Sequence, residues 1–289
     1  MVRQKTNSSS LFAKIRTTES IVAALATFIA ASSPIGHAQW NVPMANAPRT
    51  PDGRIDMTGP VPRVNDKPDL SGIWQVESDR PQNGLFGLGE SPNSKYFGSI
   101  TADYKPDEQP LTPLGQEIFR KNRQGTGTRN PQLYCLPDGV PHAELLPEPF
   151  KIVNAPGEIL FLYEVETIFR QVFIDGRKLP EDPRRTWLGY SVGHWEGDAL
   201  VVHTEGFNDL GWLDAGGHGH SEQMKVEERF VRRDFGHLDV AVRIEDPKVF
   251  TKPIEIRFTE RLLPDTDVFE HVCAENEKDA AQMSKTPNK

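Results

Sequence analysis

The chain has 289 residues, and its 33 Lys and Arg residues against 41 Asp and Glu residues give a net charge of −8. An acidic chain without a Lys/Arg cluster is a poor partner for nucleic acid or for an anionic membrane surface. The sequence also lacks a P-loop, a dinucleotide fingerprint, a zinc finger, a haem attachment motif and an EF-hand loop. ATP, NAD and haem c are therefore not expected as cofactors.

Residues 1–38 have the organisation of a secretory signal peptide. A basic start is followed by an apolar run over residues 21–31 and by small residues at Gly36 and Ala38. The run is too short for a membrane-spanning helix, which needs about 20 apolar residues. The pattern predicts export to the periplasm or the medium, with cleavage before Gln39 and no stable membrane insertion afterwards. Cleavage would remove four basic residues and one acid and change the net charge from −8 to −11.

Residues 39–68 are rich in Pro, Asn, Asp and Arg and show no apolar period, which predicts an extended N-terminal arm. Residues 69–289 are predicted to form one β domain with a loop-rich insertion at 81–149. One short helix is expected in that insertion near residues 112–122, because Thr112 can cap it and Pro113 suits its first turn. Leu114, Ile118 and Phe119 would share its apolar face.

Strand signals dominate from Lys151 onward. Apolar, β-branched runs cover residues 158–164 and 167–174, and two hairpins are expected around 196–198 and 234–236. Residues 238–245 and 254–258 alternate apolar and polar side chains, as in antiparallel sheets with one wet face. Residues 269–273 are expected to add a last strand. The predicted fold is mostly β, an antiparallel meander of about eight to ten strands that closes into a barrel or sandwich.

Two resemblances accompany this pattern. The segment Asp69-Leu70-Ser71-Gly72-Ile73-Trp74 resembles the Gly-x-Trp opening strand of lipocalin-like barrels, which implies that Trp74 packs at the barrel base. The segments 193–198 (GHWEGD), 227–230 (EERF) and 246–247 (DP) are similar to those of uncharacterised secreted bacterial proteins, a likeness that implies no particular function.

The two cysteines of the exported chain, Cys135 and Cys273, are expected to form a disulfide, because even counts in exported proteins favour pairing. The bond would close a loop of 139 residues and attach the C-terminal tail to the body. Two buried free thiols, or one reactive thiol, are the alternative.

Residues 187–229 hold three of the five tryptophans and four of the eight histidines, with several carboxylates between them. Such a mixture of apolar walls and convergent polar groups is typical of a binding or catalytic site. Within it, Gly189-Tyr190-Ser191-Val192-Gly193 matches G-x-S-x-G. A strand rather than a helix is expected to follow, so the motif is interpreted as a glycine-flanked strand and not as a nucleophile elbow.

Residues His218, His220 and Glu222 are the candidate metal ligands. At strand spacing the three side chains would point the same way and could hold zinc or non-haem iron. The order resembles the His-x-His-then-Glu motif of cupins, although cupins place the glutamate further on and carry a second motif that is not evident here. The alternative is a glycine-rich loop whose histidines face water or the backbone.

Candidate acid–base residues are His203 and His220, with Glu205, Glu222 or Asp214 as the carboxylate that orients the imidazole. Candidate substrate contacts are the aromatic side chains of the same region and one upstream arginine: Trp187, Tyr190, Trp195, Phe207, Trp212 and Arg170. Some of these aromatics are expected to be core, and charges that point into a barrel are expected to pair with each other.

The function predicted from these features is an exported enzyme for non-redox acid–base chemistry, of hydrolase, lyase or isomerase type. Its substrate would be a small, partly apolar or aromatic molecule, and a divalent metal (zinc or iron) at His218 and His220 is the cupin-like version of the same hypothesis. The competing hypothesis is a lipocalin-like carrier of a small apolar ligand that performs no turnover.

Overall fold

The computed structural model describes Met44 and residues 46–78, 94–124 and 129–273. The predicted signal peptide and the first residues of the arm lie outside the described residues. The strands are β1 (Arg63–Val64), β2 (Lys67–Pro68), β3 (Gly72–Val76), β4 (Phe150–Ala155), β5 (Glu158–Tyr163), β6 (Phe169–Phe173), β7 (Tyr190–Glu196), β8 (Ala199–Glu205), β9 (Lys225–Arg232), β10 (His237–Glu245) and β11 (Ile254–Leu262). The α-helices are α1 (Lys95–Gly98), α2 (Pro113–Arg123) and α3 (His142–Leu145), and 3-10 turns occur at Pro131–Tyr134 and Val165–Thr167.

Strands β3 to β11 form a closed nine-stranded barrel in which neighbours along the chain are neighbours in the sheet, and β11 pairs back onto β3. The predicted mostly-β barrel is thereby confirmed. Every neighbouring pair is antiparallel except β6 and β7, which run parallel and pair only at Val172 with Ser191 and at Phe173 with Val192. Residues 174–189 allow the parallel pairing, because they lead the chain back to the N-terminal end of β6 before β7 begins.

The inward faces of the strands form a mostly apolar core. In β10 and β11 the alternation noted in the sequence places every second side chain inside, and the charged side chains between them face water. The largest fully buried side chains are Trp74, Phe150, Phe161, Phe207 and Phe230. Because the sheet closes on itself, no barrel strand is unpaired along its whole length, which limits edge-to-edge aggregation.

Trp74, the tryptophan of the Gly-x-Trp segment, is fully buried. Its indole nitrogen donates to the Leu70 carbonyl at 2.9 Å, and the Arg232 guanidinium lies 4.9 Å from its ring centroid. Burial lowers the pKa of Arg232 to about 10. The Arg232 guanidinium also donates hydrogen bonds to the backbone carbonyl oxygens of Asp69 and Phe235. These bonds provide partners for its buried N–H groups beside Trp74.

Helix α2 begins where the sequence predicts. The Thr112 side chain accepts from the Gly115 backbone N–H at 3.1 Å, and Pro113 occupies the first turn. The prediction for Leu114 was wrong, because this side chain is 45 % exposed and only Ile118 and Phe119 pack on the core. The helix instead approaches the body at Gly115, where a Cβ would lie 2.3 Å from a backbone carbonyl oxygen.

The C-terminal segment is held by the predicted disulfide, which joins Cys135 to Cys273. Residues 269–273 form no strand, contrary to prediction, and Phe269 is 53 % exposed. The segment contacts the Val165–Thr167 turn through hydrogen bonds of His271 with Glu166 and Thr167. No helix among the described residues is long and apolar enough to span a bilayer.

Candidate functional site

A pocket of about 510 Å³ lies between the helical insertion and the loop that joins β8 to β9. Its size is that of a small-molecule site. Helix α1 and the residues after it form one wall, α2 forms the second, and residues 212–218 form the third. The lining residues are Gly98, Ser99, Pro106, Gln109, Phe119, Asn122, Arg123, Trp212, Ala215, Gly216 and His218.

A histidine–aspartate pair stands in the wall of this pocket. His218 Nδ1 lies 2.5 Å from Asp214 Oδ2. The Asp214 carboxylate also accepts backbone N–H groups from Ile100, Gly217 and His218 at 2.7, 2.9 and 3.1 Å. A carboxylate can only accept a hydrogen bond, so Nδ1 is the nitrogen that carries the hydrogen. In the neutral imidazole the basic lone pair is then on Nε2.

Two hydroxyl groups and the Gln109 side-chain oxygen, 3.5 Å away, lie between His218 Nε2 and the pocket. Thr101 Oγ1 lies 3.3 Å from Nε2, and Ser99 Oγ lies 3.0 Å from Thr101 Oγ1. Thr101 is buried, whereas Ser99 is half-buried and lines the pocket. Neither hydroxyl was expected from the sequence, because they lie more than 100 residues before His218 and follow a helix of only four residues.

Aromatic and cationic side chains fix the remaining walls. The Phe119 ring stacks on the His218 ring with 4.2 Å between centroids, and the Arg123 guanidinium lies 5.3 Å from the Phe119 centroid. Asn122 donates to the Gly217 carbonyl at 3.0 Å and so joins α2 to the histidine loop. The site therefore combines apolar surface, one cation and an oriented imidazole.

The glycines of the loop allow this close packing. A Cβ at Gly216 would lie 2.5 Å from the Gly98 carbonyl oxygen, and Gly217 has a φ of +99°. Residues 218–222 form an irregular loop and not a strand, so the period-2 argument that placed His218, His220 and Glu222 on one face does not apply.

The proposed metal ligands have other partners. His218 Nδ1 contacts Asp214, His220 Nδ1 lies 3.2 Å from the Ser221 carbonyl, and the half-exposed Glu222 lies 3.4 Å from Arg185. Among the described residues, no group of three or more His, Cys, Asp or Glu side chains is arranged to hold a metal ion.

The other candidate acid–base residues lie away from this pocket. His220 is buried with its ring edge-on to Phe207, and burial lowers its pKa. His203 is on the outer barrel surface, where it contacts Glu227 at 3.6 Å and stacks on His194. Its expected partner Glu205 contacts Lys225 at 2.9 Å instead.

The predicted substrate contacts divide among several places. Trp212 lines the His218 pocket, and Phe207 is fully buried core. Trp195 packs partly against the core with Lys67 5.9 Å from its centroid. The remaining three residues, Trp187, Tyr190 and Arg170, meet at a second pocket of about 440 Å³ beside β6 and β7.

Arg170 belongs to a buried ionic cluster inside the barrel. Its guanidinium contacts both Glu228 oxygens and lies 3.2 Å from Glu144 Oε1, and it donates to the hydroxyls of Ser191 and Thr204 at 3.1 and 2.9 Å. Ser191, the serine of the G-x-S-x-G match, is thus a buried strand residue. The inward charges of Arg170, Glu144 and Glu228 do pair with each other, as expected, whereas the inward Glu260 has no such partner among the described residues.

The pKa values of two carboxyl groups in this region are raised above their ordinary values. Burial, reinforced by the charge of Glu228, raises the pKa of Glu144 to about 7. Burial and the nearby Glu144 raise the pKa of Glu260 well above its ordinary value. Both Glu260 oxygens are buried without a hydrogen-bond partner, so the neutral acid is the form that this environment favours.

A second buried histidine–aspartate pair supports the loop before β4. His142 Nδ1 lies 2.8 Å from Asp138 Oδ1, and both side chains are shielded from solvent. Burial opposes protonation of His142, but the Asp138 charge outweighs it and raises the histidine pKa. Glu166 accepts the Asp138 backbone N–H at 3.2 Å, and burial raises the pKa of Glu166 to about 7.

No family model, curated protein or solved structure matches this chain. The functional argument therefore rests on the geometry of the sites themselves.

Proposed function

We propose that this protein is an exported enzyme that performs non-redox acid–base chemistry on a small, partly apolar or aromatic molecule in the His218 pocket. The observation that carries the proposal is the His218–Asp214 pair in the pocket wall, with Nδ1 engaged by the carboxylate at 2.5 Å. A carboxylate in this position fixes the tautomer and orientation of the imidazole and leaves Nε2 as the base.

In this proposal His218 Nε2 takes a proton from the substrate, or from a water that attacks it, and later returns that proton to the product. Asp214 is the positioning residue and stabilises the imidazolium that forms between the two steps. Because Thr101 Oγ1 and Ser99 Oγ continue the hydrogen-bond path toward the pocket, they can relay the proton between Nε2 and the bound molecule.

The pocket walls indicate what such a substrate looks like. Trp212 and Phe119 offer apolar ring surface, and Arg123 adds a cation at the rim. A small molecule with an apolar or aromatic part and a polar or anionic substituent suits this combination. Hydrolase, lyase and isomerase chemistry all fit a single oriented imidazole.

Export to the periplasm or the medium belongs to the same proposal. The organisation of residues 1–38 predicts it, and the Cys135–Cys273 disulfide agrees with an oxidising compartment. Nucleic acid is not expected as a partner, because the chain is acidic.

A carrier that binds its ligand inside the barrel is less well supported. Large side chains such as Phe150, Phe161 and Phe230 fill the interior together with the Arg170 cluster. A ligand would have to displace packed core to enter, which costs free energy that an open lumen would not require.

The test is a panel of 4-nitrophenyl esters, 4-nitrophenyl glycosides and small aromatic hydroxy acids, assayed with the wild type and with His218→Gln. Loss of the base is expected to reduce turnover by about 100-fold or more while ligand binding, followed by thermal shift, persists. His203→Gln is the matched control, since His203 is exposed and lies outside the pocket. Turnover that survives His218→Gln, or binding without any turnover across the panel, would contradict the proposal.

A further inference from the structure

The second pocket is an opening in the barrel wall between β6 and β7. These two parallel strands pair at only two positions, and the gap upstream of that pairing contains the pocket of about 440 Å³. One side of the gap is Phe169, Gln171 and Phe173, and the other is formed by residues 186–191. The pocket shares none of its lining residues with the His218 pocket.

The outer face of β6 departs from the usual pattern of a wet sheet face. Phe169 and Phe173 occupy outward positions at which polar side chains are the norm, and Phe169 is 63 % exposed. Core packing does not account for a phenylalanine at that exposure. Phe169 lines the pocket together with Trp187, Leu188 and Tyr190, and such an apolar and aromatic lining is typical of a ligand site.

Part of the rim is held in place before any ligand arrives. The Arg177 guanidinium lies 3.8 Å from the Phe173 centroid and donates to the Tyr190 hydroxyl at 3.1 Å, and the two rings are 5.3 Å apart. Preformed aromatic walls lower the conformational entropy that binding would otherwise cost.

The charges around the pocket are already neutralised. Arg170 forms the floor but is paired with Glu228 and Glu144, and Arg177 is paired with Asp175 at 2.6 Å. Arg170 is the only cation among the described residues that line this pocket, and it is paired, so an anionic ligand gains little here, whereas a neutral ring finds aromatic faces. The C-terminal segment beyond Cys273 contains no aromatic residue and does not match this surface.

We propose that the gap between β6 and β7 is a second ligand site, separate from the His218 pocket, that binds a neutral, planar aromatic molecule between Phe169, Trp187 and Tyr190. The site is independent of the acid–base chemistry at His218. It gives the protein a place to hold an aromatic ligand other than the molecule that binds in the His218 pocket.

The experiment is a fluorescence titration of the purified protein with 6-propionyl-2-dimethylaminonaphthalene, a neutral naphthalene dye that brightens in apolar surroundings. Saturable binding is expected, and Phe169→Ser should weaken it about three- to tenfold, the effect of losing one aromatic contact. Phe269→Ser is the matched control, because Phe269 is 53 % exposed and lies outside the pocket. The dissociation constant of the dye for Phe269→Ser should equal that for the wild type.

Competition then tests the charge argument and the location. Neutral 2-naphthol should displace the dye, whereas 2-naphthalenesulfonate should not. The proposal is overturned if the dye does not bind saturably, if Phe169→Ser binds as tightly as the wild type, or if the sulfonate competes as well as 2-naphthol. Loss of the signal in Trp212→Leu, with Phe169→Ser unaffected, would place the dye in the His218 pocket and also overturn it.

Discussion

The substitution Arg170→Met tests how the barrel tolerates charge in its interior. Methionine keeps much of the length of the side chain but removes the guanidinium, which contacts Glu228 and Glu144 and donates to two hydroxyls. Both carboxylates are almost completely shielded from solvent. Removing one partner of a buried ion pair costs about 3–5 kcal/mol, because it leaves a buried charge uncompensated.

That loss should depend on pH. The pKa of Glu144 is already raised to about 7 by burial and by Glu228, and Arg170 opposes the rise. Without the arginine the folded-state pKa rises further above the unfolded value. A raised folded pKa contributes stability at low pH that is lost as the pH rises through the folded value. The loss in Arg170→Met is therefore smaller near pH 5 than near pH 8.

Urea unfolding at about pH 5 and about pH 8 measures the loss of stability and its dependence on pH. In thermal unfolding at the higher pH, the melting temperature should fall by about 6–20 °C. The matched control is Arg243→Met, which removes an arginine paired with Glu245 and Glu255 on the barrel exterior. Solvent-exposed pairs contribute little, so this variant should unfold nearly as the wild type does. Equal losses for the two variants, or a loss at Arg170 that does not change with pH, would refute the reasoning.

Further predictions concern the disulfide, the helix contact and the unpartnered acid. Replacing Cys135 and Cys273 together by serine should lower the free energy of unfolding by about 2–5 kcal/mol, measured by urea unfolding without reductant. A loss below about 1 kcal/mol would contradict this prediction. Gly115→Ala places a methyl group 2.3 Å from a carbonyl oxygen and should lower the free energy of unfolding by about 1–3 kcal/mol. Gln116 is exposed on the same helix, and Gln116→Ala should not destabilise the protein. Glu260→Gln should leave the melting temperature nearly unchanged, because burial raises the pKa of the native carboxyl and no hydrogen bond from the described residues stabilises its ionised form; a large drop would indicate an ionised, partnered carboxylate.

The barrel strands were predictable because local rules determine them. Alternation in β10 and β11 identifies the buried face, and the turns at 196–198 and 234–236 identify the hairpins. The start of α2 follows from the Thr112 cap. The parallel pairing of β6 with β7 was not predictable, since it depends on how residues 174–189 cross the end of the barrel and no local pattern records that path.

The catalytic candidate was only partly predictable. The sequence identified the region and named both Asp214 and His218, but it assigned the histidine to a metal and the acid–base role to His203 and His220. That assignment assumed strand geometry, whereas a glycine-rich turn brings positions 214 and 218 together. Thr101 contacts the histidine from far away in the sequence, and such pairings require the tertiary fold.

The central claim is that His218 and Asp214 act as one unit, and a double-mutant comparison tests it most directly. With a substrate identified from the panel, kcat/KM is measured for His218→Gln, Asp214→Asn and the double variant, after urea unfolding confirms that each is folded. His218→Gln should lower kcat/KM by about 100-fold or more relative to the wild type. If the carboxylate works only through the imidazole, the double variant loses no more activity than His218→Gln does. Losses that multiply, or a His218→Gln variant that retains wild-type activity, would contradict the account.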